Sequence, residues 1–130
     1  MPILALVVDD SMVIRHTICR FLEERGYEVE VAANGREALE IVTRRLPGLV
    51  ITDMQMPAMG GGELISALKA NPQTATVPIV ILTGRSSGYD QGETRAEFTI
   101  FKDIDVQQQL ERALQAVAGG NLSKAQGTGN

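Results

Sequence analysis

The 130-residue sequence has a single cysteine, a single histidine and no tryptophan. Cys19 has no partner for an internal disulfide; in a helical-looking segment it reads as a small packed hydrophobe rather than a reactive thiol. His16 has no second histidine with which to share a metal, so it reads as a helix surface residue and not as a phosphodonor or ligand. No apolar run reaches the 18 residues of a membrane span, and the amino terminus MPILALVVDD meets two acids too early for a secretory signal, so a soluble, cytoplasmic protein with no membrane association is expected. Nor is there an excess of positive charge: 12 basic against 16 acidic residues, mixed along the chain, leave a net charge of -4 and no sign of a direct nucleic-acid surface. The length suits one domain with a real hydrophobic core.

What is present is an alternation. Ile3 to Val8, Leu49 to Thr52 and Ile79 to Leu82 are continuously apolar, as strands covered on both faces must be, and are expected at the centre of a sheet. Tyr27 to Val31 alternates and reads as a strand nearer an edge, and Phe98 to Phe101 supplies a short fifth. Between them, Ile14, Ile18, Phe21 and Leu22 mark a helix stopped at Gly26, and Asn34 with Glu37 resembles a capping box opening a helix with Ala38, Leu39, Ile41 and Val42 on its apolar face. Leu64, Ile65 and Leu68 mark a third helix. Val106, Leu110, Ala113, Leu114 and Val117 mark a last one, expected to end at Gly119 and Gly120 before the polar stretch NLSKAQGTGN. Strands alternating with helices imply right-handed βαβ units, a parallel sheet and helices on both faces.

In such folds ligands bind outside the carboxyl ends of the strands. The first strand ends at Asp9 and Asp10, the third at Asp53 and the fourth at Thr83, while the fifth runs into Lys102. Three carboxylates on one edge ask for a cation, and oxygen ligands favour Mg2+, which takes one or two carboxylates together with phosphate oxygens. Without metal the acids repel, so at least one is expected to hold a raised pKa. Taken singly, each residue has a plainer reading: Asp9 and Asp10 could cap the first helix, Asp53 could sit in a turn, Thr83 could be a strand-end hydroxyl and Lys102 a solvated charge. Their convergence on one edge favours a site. Met54, Met56 and Met59 read as loop packing.

The segments VVDDS, ITDMQMP, VILTG and FK, with FLEERGYEVEVAANGREALE between the first two, resemble the receiver domain of bacterial two-component response regulators. The resemblance implies a flavodoxin-like α/β three-layer sandwich with a central five-stranded parallel sheet over residues 1–118, followed by a disordered tail or linker over 119–130. It implies Asp53 as acceptor of a phosphoryl group from a sensor histidine kinase or phosphotransfer protein. It further implies Asp10 as a direct Mg2+ ligand, Asp9 acting largely through water, Asp53 and the Gln55 carbonyl as further ligands, Thr83 as switch hydroxyl and Lys102 as partner of the phosphoryl oxygens. Such a protein is not an enzyme on external substrates; it catalyses only its own phosphorylation and dephosphorylation, and switches an unknown downstream partner or a monomer to a phosphorylation-dependent dimer. The alternative is a pseudo-receiver that binds a partner without phosphorylation. A Mg2+-dependent phosphatase would need an added acid and a cap over the pocket, and neither is apparent.

The sequence also departs from that pattern. Asp103 follows Lys102 where proline, often with a cis bond, is usual, so the peptide is expected to be trans or strained. Thr99 stands in place of an aromatic. The stretch from Gly84 to Arg95 has three glycines and no apolar face, predicting a short or irregular fourth helix. Met59-Gly60-Gly61-Gly62 replaces Met-Asp-Gly, predicting a third helix whose start loses a capping carboxylate and gains flexibility.

Overall fold

The computed structural model describes residues 3–84, 96–102 and 105–125. The strands are β1 (Leu4–Val8), β2 (Glu28–Ala32), β3 (Leu49–Asp53), β4 (Ile79–Thr83) and β5 (Phe98–Phe101). The helices among the described residues are α1 (Met12–Glu24), α2 (Gly35–Arg44), α3 (Gly61–Ala70) and α4 (Val106–Ala125). All four strand pairings are parallel, in the order β2-β1-β3-β4-β5. The three continuously apolar strands occupy the middle, and alternating β2 lies at an edge, as their patterns require.

Alternation along each strand divides the core into two layers. Leu6, Val8, Val50, Ile79 and Ile81 face Ala38, Ile41 and Val42 of α2 and Leu64, Ile65 and Leu68 of α3. Ala5, Val7, Leu49, Ile51, Val80, Leu82 and Ile100 face Ile18, Phe21 and Leu22 of α1 and Leu110 and Ala113 of α4. A flavodoxin-like sandwich of helix, sheet and helix results.

Local signals set the boundaries. Ser11 caps α1 by accepting from the Ile14 N–H at 3.4 Å. At its other end Gly26, at φ 88°, donates to Glu23 O and Tyr27 donates to Leu22 O, the paired bonds of a Schellman stop. Asn34 accepts from Glu37 N at 2.9 Å, while the Glu37 carboxylate accepts from Ala33 N–H.

Two expectations need correction. The last helix continues through Gly119 and Gly120 to Ala125; glycine weakens a helix by about 1 kcal/mol relative to alanine but does not forbid it, and the preceding residues are strong helix formers. At the start of α3, Gly60 makes no side-chain cap, as expected, but the start is not left loose: Glu63 accepts from Gly60 N–H at 3.4 Å. Gly61 there is a close contact rather than a source of freedom: a Cβ would lie 2.3 Å from Asp53 O. The fourth helix expected over 84–95 and the Lys102–Asp103 peptide lie outside the described residues.

Candidate functional site

Parallel topology places the ends of β1, β3, β4 and β5 along one edge. Asp9 follows β1 and is wholly buried, its N–H extending the ladder to Ala32 O at 3.0 Å. Its Oδ1 accepts from Ser11 N–H at 2.7 Å, fixing the carboxylate against the start of α1. Asp10 beside it is exposed. Asp53, the last residue of β3, is 6% exposed; its Oδ1 accepts from Met54 N–H at 2.7 Å and more weakly from Gln55 N–H at 3.4 Å. Thr83 ends β4, is 3% exposed, and its Oγ1 donates to Gly84 O at 3.4 Å.

Lys102 closes the arrangement. Its Nζ lies 2.9 Å from Asp9 Oδ2 and 3.0 Å from Asp53 Oδ2, bridging the two buried carboxylates. Burial works against the ammonium, but the paired carboxylates outweigh it and hold the Lys102 pKa above its ordinary value. For Asp9 the balance tips the other way: burial, opposed by Lys102 and by Ser11 N–H, leaves its pKa raised. Repulsion from Asp53 adds to that rise but does not lead it, so the mutual repulsion expected from the sequence is a secondary cause.

Carboxylate oxygens of Asp9, Asp10 and Asp53 all lie within 4.8 Å of one another. Asp9 Oδ2 is sealed from solvent and is met by the Lys102 ammonium at 2.9 Å, a charged contact of imperfect hydrogen-bond geometry. An all-oxygen donor set with a buried, incompletely satisfied anionic atom suits a hard divalent cation such as Mg2+. The backbone of Gln55 lies two residues beyond Asp53 in the loop after β3.

Supporting residues were not visible in the sequence. Arg15 Nη1 donates to Asp9 O at 2.7 Å, tying α1 to the end of β1; an arginine one turn into a helix gives no sign of turning back to a strand end. Gln109 of α4 bonds both backbone groups of Phe101, the residue before Lys102. Met54, expected to pack the loop, reaches into the core, and Met59 packs on Gly35, where a Cβ would come within 2.7 Å of its side chain. His16 is exposed, and burial raises the pKa of the half-buried Cys19 thiol, which works against the reactive thiolate. No described helix is long and apolar enough to cross a membrane.

The response regulator receiver domain family matches residues 5–115. The chain belongs to this family. The response regulator MprA of Mycolicibacterium vanbaalenii is 39% identical over 87 residues, covering 67% of this chain and 37% of that protein. An uncharacterized 14.6 kDa protein of Leptolyngbya boryana is 40% identical over 103 residues, covering 77% of this chain and 79% of its own. Among solved structures, the chemotaxis response regulator CheY4 of Vibrio cholerae superposes with a TM-score of 0.80 at 33% identity, over 90% of this chain and 99% of that one. The chain spans well under half the length of the first curated relatives it matches, 37% for MprA. As a receiver domain it is a two-component signalling module of response regulators.

Proposed function

We propose that the receiver domain accepts a phosphoryl group on Asp53 from a phosphohistidine of a sensor histidine kinase or phosphotransfer protein, with Mg2+ held by Asp10, Asp53 and the Gln55 carbonyl and, through water, by Asp9. The observation that carries this reading is Lys102 Nζ standing 2.9 and 3.0 Å from two buried carboxylates at the ends of two different strands. An acceptor carboxylate in the loose transition state of phosphoryl transfer needs alignment and charge neutralisation more than covalent assistance. Backbone N–H groups of Met54 and Gln55 prevent the Asp53 carboxylate from rotating, which supplies the first. Lys102 supplies the second from one side, and bound Mg2+ would neutralise phosphoryl oxygen charge from the other.

An Asp53 oxygen attacks phosphorus, the O–P bond forms, and the P–N bond to the donor imidazole breaks with its electron pair leaving on nitrogen, which takes a proton from solvent. The same groups serve hydrolysis of the acyl phosphate by water, so the activity is confined to the protein's own carboxylate. The Thr83 hydroxyl, on the adjacent strand, is the group that turns toward the phosphoryl oxygens and starts the change of partner or of monomer to dimer. The signalling unit in this reading takes in the sheet and its helices through α4, which runs past residue 118 to Ala125.

Incubation with acetyl phosphate and Mg2+, read by intact mass, tests the proposal. Wild type gains one phosphoryl group and Asp53→Asn gains none. No gain in wild type under conditions that label another receiver contradicts the proposal and leaves the phosphorylation-independent binding module.

A further inference from the structure

The end of β5 is held in an unusual way. β5 is an edge strand, paired on one side with β4 in the register Thr83 to Phe101. Lys102 N–H donates to Thr83 O at 2.8 Å, toward β4. Alternation along the strand therefore turns the N–H and C=O of Phe101 toward the free edge, where no strand among the described residues pairs them. A single side chain does so: Gln109 Oε1 accepts from Phe101 N–H at 2.9 Å, and Gln109 Nε2 donates to Phe101 O at 2.8 Å. One amide thus stands where the peptide group of a sixth strand would, and only this orientation of the amide satisfies both bonds.

The amide is itself held from the helix side. Asp105 Oδ1 accepts from Gln108 N–H at 3.2 Å and so caps the start of α4, and Gln109 Nε2 also reaches Asp105 O at 3.3 Å. Gln109 is therefore carried on a capped first turn, partly buried, with Leu110 next to it in the core.

The residue so gripped immediately precedes Lys102, whose flexible side chain must place one ammonium 2.9 Å from Asp9 and 3.0 Å from Asp53. Four rotatable bonds leave that placement sensitive to where the Lys102 backbone starts. Following Lys102 is Asp103, which supplies none of the ring rigidity of a proline.

We propose that Gln109 is a positioning residue for Lys102, its bidentate amide fixing the end of β5 so that the lysine meets the Asp9 and Asp53 carboxylates. The inference rests on the phosphoacceptor reading for its consequence in phosphoryl transfer, but the hold on Lys102 can be measured without it. Acetic anhydride labelling at one fixed pH, with Lys69 as reference within the same protein, reports how well Lys102 is held. Gln109→Leu keeps the bulk and loses both bonds; folded by circular dichroism, it should label at Lys102 severalfold faster relative to Lys69 than wild type does. Its phosphorylation rate with acetyl phosphate should fall on the order of tenfold, with no further fall when the same change is made in Lys102→Ala. Gln109→Glu keeps an acceptor for Phe101 N–H but loses the donor, and should fall between, which preserves the test if the leucine variant does not fold. Unchanged Lys102 labelling in a folded variant overturns the proposal, as does faster labelling with an unchanged phosphorylation rate. Faster labelling in a protein whose wild type takes no phosphoryl group would support the hold on Lys102 and overturn the phosphoacceptor reading instead.

Discussion

At the amino ends of the strands the chain turns through Gly26 at φ 88°, where glycine has no side chain to strain, whereas at the carboxyl ends Ala58 holds φ 66° with a Cβ that disfavours it. The same contrast runs through the charges. At the amino ends Arg45 pairs with Glu28 and Glu30, and Arg25 pairs with Glu111 while lying 3.5 Å over the buried Phe21 ring, the charged side chains being one third to one half exposed. At the carboxyl ends Asp9 and Asp53 are buried and share one lysine. A single sheet therefore has one end whose charges are screened by solvent and whose turn is unstrained, and another where buried charge and backbone strain are retained, the distribution expected when strain serves a site.

The largest stability effect should come from Gly61→Ala, whose Cβ would meet Asp53 O at 2.3 Å and Met54 Cα at 2.8 Å, backbone atoms that cannot turn aside. A loss of about 1–3 kcal/mol in urea unfolding is expected. Gly62→Ala, whose Cβ meets only the flexible end of Met54 at 4.0 Å, should be neutral or stabilising. Equal losses in both would show that the close approach of Gly61 to the loop after β3 does not set the cost.

Next is Asp9→Asn in metal-free protein. Burial raises the Asp9 pKa above its ordinary 3.8, so the folded state holds this proton more tightly than the unfolded one. Its contribution to stability is complete below 3.8 and is lost as pH rises through the folded pKa. The amide variant should lack that decline and be more stable than wild type at neutral pH, while taking up phosphoryl groups more slowly. A variant less stable than wild type at every pH would mean that the pair with Lys102 outweighs the burial cost.

Exchanging the two left-handed residues sharpens the comparison of the ends. Gly26→Ala should lose about 1 kcal/mol, since only φ opposes it and no atom lies within 4 Å of the new Cβ. Ala58→Gly should gain somewhat less, because relief of strain is offset by glycine's greater freedom when unfolded. Losses at both positions would remove the case for strain in the loop after Asp53. Smallest of all, Arg45→Ala should leave the unfolding midpoint nearly unchanged, as its ion pairs are exposed.

The core and the acids were legible because their signals are local and periodic: an apolar run ending in Asp9 and Asp10, or in Asp53, states both a buried strand and what its end carries. Parallel topology did the rest by bringing distant strand ends to one edge. Gln109 was not legible, because a glutamine in a row of three on an amphipathic helix reads as surface, and its meaning depends on the unpaired edge of β5. Arg15 was missed for the same reason: its partner is a backbone carbonyl with no sequence identity. The glycines misled in two opposite ways. Gly119 and Gly120 suggested a stop where neighbouring residues carry the helix onward, and Gly61 suggested freedom where the structure needs close approach.

The claim at the centre of this account is that Asp53 is the nucleophile, and reductive trapping addresses it most directly. Protein treated with acetyl phosphate and Mg2+, then reduced with borohydride, should yield homoserine in place of aspartate at residue 53 on peptide mass mapping, with Asp9 and Asp10 intact. Homoserine at residue 9 or 10, or unreduced aspartate at 53 in protein that has gained phosphoryl mass, would contradict it.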